Sequence, residues 1–136
     1  MKLIINLKFD GNAREAMTFY SQCLGGELHV MQFSEAPQKM PQEAGDRVMH
    51  SRITKGDVLL MVSDTIPGWP YQQGDNFSVS IDCDSLEEAE TLLGALSEGG
   101  KVTMPLQNMF WGAHFGMLTD RFGVNWMVNF RHEPVA

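Results

Sequence analysis

His50 and Arg52 form the pair of side chains in this sequence that most directly suggests chemistry. An imidazole that titrates near neutrality can take a proton from a substrate. A guanidinium two residues away can hold a carboxylate or phosphate through paired hydrogen bonds. Two residues apart on an extended chain, the two side chains share one face. That makes His50 a candidate general base and Arg52 a candidate ligand-binding residue. The same pattern also describes a wet sheet face carrying an ordinary surface His beside a surface Arg. A second group is Phe110-Trp111 with His114-Phe115, whose rings could wall an apolar pocket while the indole N–H and His114 orient a ligand. Aromatic residues also dominate contacts between subunits, so these residues fit a dimer contact equally well. His29 and His132 lack comparable neighbours and read as surface residues, with His132 in a polar tail.

The elements that must position these groups come in two similar sets. A strand-like run over 2–9 ends in Asp10-Gly11-Asn12 and leads into a helix over 13–24, followed by Gly25-Gly26. A second run over 77–83 ends in Asp84-Ser85 and leads into a helix over 86–96, followed by Gly99-Gly100. Each helix opens with a cap residue and a Glu three positions later: Asn12 with Glu15, and Ser85 with Glu88. Aligning Ala16 with Ala89 brings the glycine pairs together with one inserted residue. The glycines follow helices, so they read as helix stops in the left-handed conformation rather than as phosphate cradles.

Further strands are expected over 27–33, 48–54, 58–62, 101–104, 114–119 and 124–130. Long loops are expected over 34–46 and 105–113. Ala16, Met17, Tyr20, Cys23 and Leu24 make the apolar stripe of the first helix. Asp120-Arg121-Phe122-Gly123 reads as a structural turn. Most of the methionines read as core filling.

Composition narrows the function classes. The 136 residues suit one compact domain, and 43% apolar with 20% charged residues is ordinary for a soluble protein. A net charge of −7 without a basic patch argues against a nucleic-acid partner. No apolar run reaches the roughly 20 residues that cross a bilayer, so no membrane partner is expected. Cys23 and Cys83 stand alone, without CxxC spacing, and Met1-Lys2 leads straight into a short strand-like run. Together these predict a cytoplasmic protein with neither a disulfide framework nor a signal peptide.

Several spaced motifs carry a family resemblance. Trp111-Gly112-x-x-Phe115-Gly116, followed by Asp120-x-Phe122-Gly123-x-x-Trp126, resembles the PhnB-like branch of the vicinal oxygen chelate superfamily, which includes glyoxalase I and bleomycin-resistance proteins. Phe9-x-Gly11-Asn12 with Ala16, Phe19-Tyr20 and Leu24-Gly25-Gly26 is similar to the same branch, as are Met49-His50 and Leu60-Met61-x-Ser63-Asp64. The resemblance covers nearly the whole chain. It implies an α+β fold of two tandem βαβββ modules, forming a cupped mixed sheet around a cavity. It also implies a homodimer and a ligand site where the modules meet. Residues 1–136 then form one domain, with module one over about 1–65, a connection over 66–75 and module two over about 76–131.

Metal-dependent members of that superfamily place four ligands on strands, two in each module. The corresponding positions here fall at Ile5 or Asn6, Leu60 or Met61, Ser78, and Met127. None is a strong ligand for a divalent ion, since Asn and Ser are weak donors and Leu and Ile are none. The expectation is therefore no cofactor, with Asn6, Ser78 and Met127 lining a small-molecule site together with Arg52, Phe110, Trp111 and His114. The alternative is a small isomerase, lyase or dioxygenase that uses His50 or a rearranged metal. Similar sequences are also described as ubiquinone-pathway methyltransferases. That activity needs an adenosyl pocket, and no strand–glycine-loop–helix motif with a ribose-binding acid is present.

Overall fold

The computed structural model describes residues 1–37 and 42–132. The chain divides into two units, Met1–Gln72 and Gln73–Ala136. In the first unit, β1 (Asn6–Phe9), α1 (Ala13–Leu24), β2 (Glu27–Gln32), β3 (Val48–Lys55) and β4 (Val58–Asp64) follow one another. The second unit repeats the order with β5 (Val79–Asp82), α2 (Leu86–Leu96), β6 (Lys101–Met109), β7 (Ala113–Thr119) and β8 (Asn125–Arg131). The strands run β1-β4-β3-β2 in one sheet and β5-β8-β7-β6 in the other. Each first strand pairs parallel with the last strand of its own module, and the remaining pairs are antiparallel. Two βαβββ modules, each with a four-stranded mixed sheet, are thus the architecture that the repeat and the family motifs anticipate.

Each helix covers one face of its own sheet. α1 buries Ala13, Ala16, Met17, Phe19 and Tyr20 against β2, β3 and β4. The sheet answers with Leu7, Phe9, Ser51, Ile53, Leu60 and Val62, all buried. Cys23 is half-buried, so it lies at the margin of the stripe rather than in the core. α2 buries Ala89, Leu92, Leu93 and Leu96, facing Leu118, Trp126 and Val128 from β7 and β8. Because side chains alternate along a strand, the opposite face of each sheet is left to the remaining residues.

The helix starts differ from one another. Ser85 caps α2, its hydroxyl accepting from Glu88 N at 3.1 Å, while Glu88 Oε1 accepts from Asp84 N at 3.0 Å. Asn12 makes no such bond. The buried Asp64 at the end of β4 takes its place, Oδ1 accepting from Gly11 N at 2.8 Å and Ala13 N at 3.0 Å. Its Oδ2 accepts from Val48 N at 2.9 Å, tying three segments of module one together. With two acceptor oxygens, a carboxylate can satisfy several backbone donors around a helix start at once.

The glycine pairs do two jobs. Gly25 ends α1 with φ +74°, but α2 already ends at Ser97, two residues before Gly99 at φ +79°. The second glycine of each pair meets a backbone carbonyl. A Cβ on Gly26 would lie 2.6 Å from Thr54 O, and one on Gly100 only 2.1 Å from Thr119 O.

Two loop expectations are corrected. The segment over 105–113 is mostly strand, because β6 continues through Pro105 to Met109. The proline is accommodated because β6 is an edge strand and its register with β7 shifts between Met104 and Gln107. Within 34–46, short 3-10 turns cover Phe33–Glu35 and Gln42–Ala44, and Phe33 and Ala44 are buried. Positions 38–41 of that expected loop lie outside the described residues. At the chain start only Asn6–Phe9 pairs as strand, with Leu3 97% exposed. Among the described residues no helix is long and apolar enough to cross a membrane.

Candidate functional site

The face of the second sheet that turns away from α2 holds a pocket. Ser80 and Asp82 reach it from β5, Phe115 from β7, and Asn129 and Arg131 from β8. Trp111, in the turn between β6 and β7, closes one side of a space of about 260 Å³. Strand register accounts for the gathering. Phe115 lies opposite Asn129, and Asp82 lies opposite Asn129 from the other flank. These three residues therefore form one row across three strands.

The pocket has an apolar side and a polar side. Trp111 and Phe115 meet edge to face with ring centroids 6.0 Å apart, and Phe110 meets Trp111 at 5.1 Å. Phe110 sits outside the pocket at the hairpin tip, 96% exposed. Trp111 is 52% exposed and can pack on a ligand without leaving the turn. On the polar side Asn129 Nδ2 donates to Asp82 Oδ1 at 3.0 Å, and Arg131 Nε stands 3.9 Å from Asp82 Oδ2. Asn129 is itself buried, so the amide fixes the carboxylate from beneath. The arrangement supplies a carboxylate, a guanidinium and a hydroxyl beside an aromatic wall.

Two titratable groups are displaced from their ordinary values. Burial, reinforced by the charges of Glu88, Asp82 and Asp84, pushes the Cys83 thiol up to about 11. Cys83 therefore stays a neutral thiol near neutral pH and is not poised as a nucleophile. In module one, burial and the charge of Asp10 raise the Tyr71 phenol.

The turn after β7 is structural. Asp120 is buried, its Oδ1 accepting from Phe122 N at 2.8 Å and Val124 N at 3.0 Å, and its Oδ2 from Trp126 Nε1 at 2.8 Å. Gly123 N donates to Asp120 O at 3.0 Å, closing the turn.

The residues singled out in the sequence separate into three places. Trp111 lies in the module-two pocket, and Met127 lies on the same face, opposite Ser80. Ser78 falls just before β5 starts at Val79. His50 and Arg52 lie on the module-one face that turns away from α1; His50 is half-buried and Arg52 exposed. Asn6 shares that face, opposite Met61, and its Nδ2 donates to Ser63 Oγ at 3.1 Å. His114 points to the other side of its sheet from Phe115, and its Nδ1 contacts Nε2 of His132.

Ser80, Asp82, Asn129 and Arg131 were not anticipated as site residues. Strand pairing alone shows that Ser80 stands to Met127 as Asn6 stands to Met61. An Asp and an Asn distant in sequence carry no spacing signal. The family-type metal positions resolve to Asn6, Met61, Ser80 and Met127. Neither pair, an amide with a thioether in module one nor a hydroxyl with a thioether in module two, offers a strong donor to a hard or borderline divalent ion. Among the described residues, no three His, Cys, Asp or Glu side chains gather to hold one.

Comparison with known proteins agrees with the fold. The family model described as 3-demethylubiquinone-9 3-methyltransferase matches residues 1–129. Protein YjdN of Escherichia coli (strain K12) is 30% identical over 140 residues, with 95% of each chain covered. The crystal structure of protein PA1353 from Pseudomonas aeruginosa is 48% identical, with a TM-score of 0.84 over 96% of this chain and 98% of that one. A Bacillus cereus structure described as a putative 3-demethylubiquinone-9 3-methyltransferase, PhnB protein, is 27% identical. Its TM-score is 0.74 over 96% and 99% of the two chains. The fold alone is shared with a glyoxalase/bleomycin resistance protein/dioxygenase family enzyme from Burkholderia phytofirmans PsJN, 15% identical, TM-score 0.62, over 94% and 96%.

Proposed function

We propose, from the premise that the chain belongs to the PhnB-like family of the vicinal oxygen chelate superfamily, that it binds a planar small molecule in the module-two pocket without a metal centre. The observation that carries this reading is the pairing of the Trp111–Phe115 wall with the Asp82–Asn129–Arg131 cluster across the same space. An aromatic wall favours a flat, largely apolar ligand, and a few fixed polar groups orient it. A quinone-type ring is one molecule that suits such a wall. Lewis-acid chemistry is not part of the reading, because Asn6, Met61, Ser80 and Met127 are poor donors for it.

The description attached to the matching family names methyl transfer. A methyl-transfer reading is less well supported by the chain's own residues. The glycine pairs follow helices instead of leading into them, and Gly26 and Gly100 are committed to backbone approach against Thr54 and Thr119. The proposed working state is a cytoplasmic homodimer, in keeping with two cysteines that are not joined in a disulfide and the fully exposed Phe110.

The test is a thermal-shift and intrinsic-fluorescence screen against quinones, aromatic dicarbonyls and phosphonates. Saturable stabilisation by one planar class, lost in Trp111→Ala and weakened in Asn129→Ala, supports the reading. Binding that survives both substitutions, or chemical turnover of a bound compound, counts against it.

A further inference from the structure

We propose that the face of the first sheet turned away from α1 binds the phosphate group of a small-molecule ligand, held by Lys8, His50, Arg52 and Ser63. These residues are separate from those of the module-two pocket, and the proposal stands independently of the planar-ligand reading.

Strand pairing gathers the group from three strands. Leu7 and Phe9 are buried on the helix side of β1, so Lys8 faces the other way. Lys8 lies directly opposite Ser63 on β4. On the other flank of β4, Ser51 pairs with Val62. The next residue of each strand, His50 on β3 and Ser63 on β4, therefore turns to the outer face. Arg52 shares that face opposite Met61, one row from Ser63. A long side chain can reach a diagonal neighbour of this kind. Ser63 is thus the centre of the group.

The cations on this face lack an answering charge. The side chains of Lys8, His50 and Arg52 have no hydrogen-bond or ion-pair partner among the described residues. Glu27 is the one carboxylate that the described strands place on this face, and its Oε1 stands 3.0 Å from His29 Nε2. Asp10, just past β1, is engaged by Arg47 Nη1 at 2.8 Å. In a chain of net charge −7, a patch where cations gather without carboxylates is a local reversal of sign that draws an anion.

Ser63 adds a directed donor. It is 9% exposed, and its Oγ accepts from Asn6 Nδ2 at 3.1 Å. A hydroxyl that already accepts still has a proton to give. The donors surround one point: Lys8 on one flank, His50 on the other, Ser63 beneath and Arg52 on the diagonal. A tetrahedral phosphate presents oxygens in several directions and can meet such a set, whereas a carboxylate presents two oxygens in one plane.

The experiment titrates the full-length, isotope-labelled chain with inorganic phosphate, and separately with succinate, at an ionic strength held constant with sodium chloride. NMR follows the His50 ring, the Arg52 Nε–H and the Ser63 amide. Saturable shifts at all three are expected with phosphate, with succinate binding more weakly. Arg52 is exposed, so Arg52→Gln leaves the fold intact, and it is expected to weaken phosphate binding roughly tenfold or more. Lys8→Gln is expected to cost less, because an ammonium acts as a point charge. Arg14→Gln removes the same charge from an exposed position on α1 and is expected to bind as wild type. Shifts that do not saturate at millimolar phosphate overturn the proposal. So does binding that Arg52→Gln leaves unchanged, or that Arg14→Gln weakens as much as Arg52→Gln does. Tighter binding of succinate overturns the assignment to phosphate.

Discussion

The two sheets are built to one plan, yet the faces turned away from their helices have been furnished differently. In module one that face carries His50, Arg52 and Met61, and Asn6 is already hydrogen-bonded to Ser63. In module two the equivalent face carries Ser80, Met127 and a pocket framed by Asp82, Asn129, Arg131, Phe115 and Trp111. The register is the same: Asn6 opposes Met61 as Ser80 opposes Met127. The difference arises from what stands beside that register. Module two has a longer hairpin, β6 to β7, whose turn brings Trp111 over the sheet face. Under the proposed function, the repeated frame sets where a ligand can lie, and the turn residues decide which copy receives it.

The largest effects are expected where the comparison concerns the shared frame. Asp64 and Asp120 are buried carboxylates that each accept three hydrogen bonds from their own module. Asp64→Ala or Asp120→Ala strands several buried donors, and each is expected to cost roughly 3 kcal/mol or more in denaturant unfolding. A loss below about 1 kcal/mol in either variant would break the idea that both modules depend on a carboxylate anchor. Gly26→Ala and Gly100→Ala sharpen it, since a methyl group at either position collides with a backbone carbonyl. Both are expected to fold poorly.

Much of this frame could be read from residue types. The bounds of both helices followed from their apolar spacing, because a buried stripe repeats every three or four residues. The Ser85 cap was legible, whereas the Asn12 cap was not, because its substitute, Asp64, comes from a distant strand. Pro105 suggested a loop, but an edge strand with a shifted register tolerates a residue that donates no hydrogen bond. The site was less legible than the fold. Trp111 and Phe115 stood out as aromatics near a turn. Ser80, Asp82, Asn129 and Arg131 could not, since only the pairing of β5 with β8 and of β8 with β7 brings them together. His132 looked like part of a tail until its backbone contact with Gly112 set it beside His114.

Smaller effects separate the two faces. Trp111→Ala is expected to weaken ligand binding by roughly tenfold to a hundredfold, with stability changed by less than about 1 kcal/mol, because the indole is half exposed. His50→Ala on the module-one face is expected to change stability by no more than about 0.5 kcal/mol and to leave that binding untouched. If His50→Ala instead abolished a measurable turnover, the functional face would be that of module one and a His-dependent enzyme the better description.

A further effect concerns alkaline pH. The Cys83 thiol is raised in the folded chain from an ordinary value of 9.0 to about 11. The folded state therefore holds its proton more tightly than the unfolded state, and this contribution is intact below about pH 9. It declines as pH rises toward 11. Chemical denaturation across that window is expected to show falling stability, with a shallower fall in Cys83→Ala. Tyr71, also raised, adds to the slope in both proteins.

The most direct test of the central claim is NMR mapping of the uniformly labelled chain titrated with the planar compound that the screen selects. The account predicts that shifts concentrate on Ser80, Asp82, Trp111, Phe115, Asn129 and Arg131. Shifts centred on Asn6, His50, Arg52 and Met61 would contradict it.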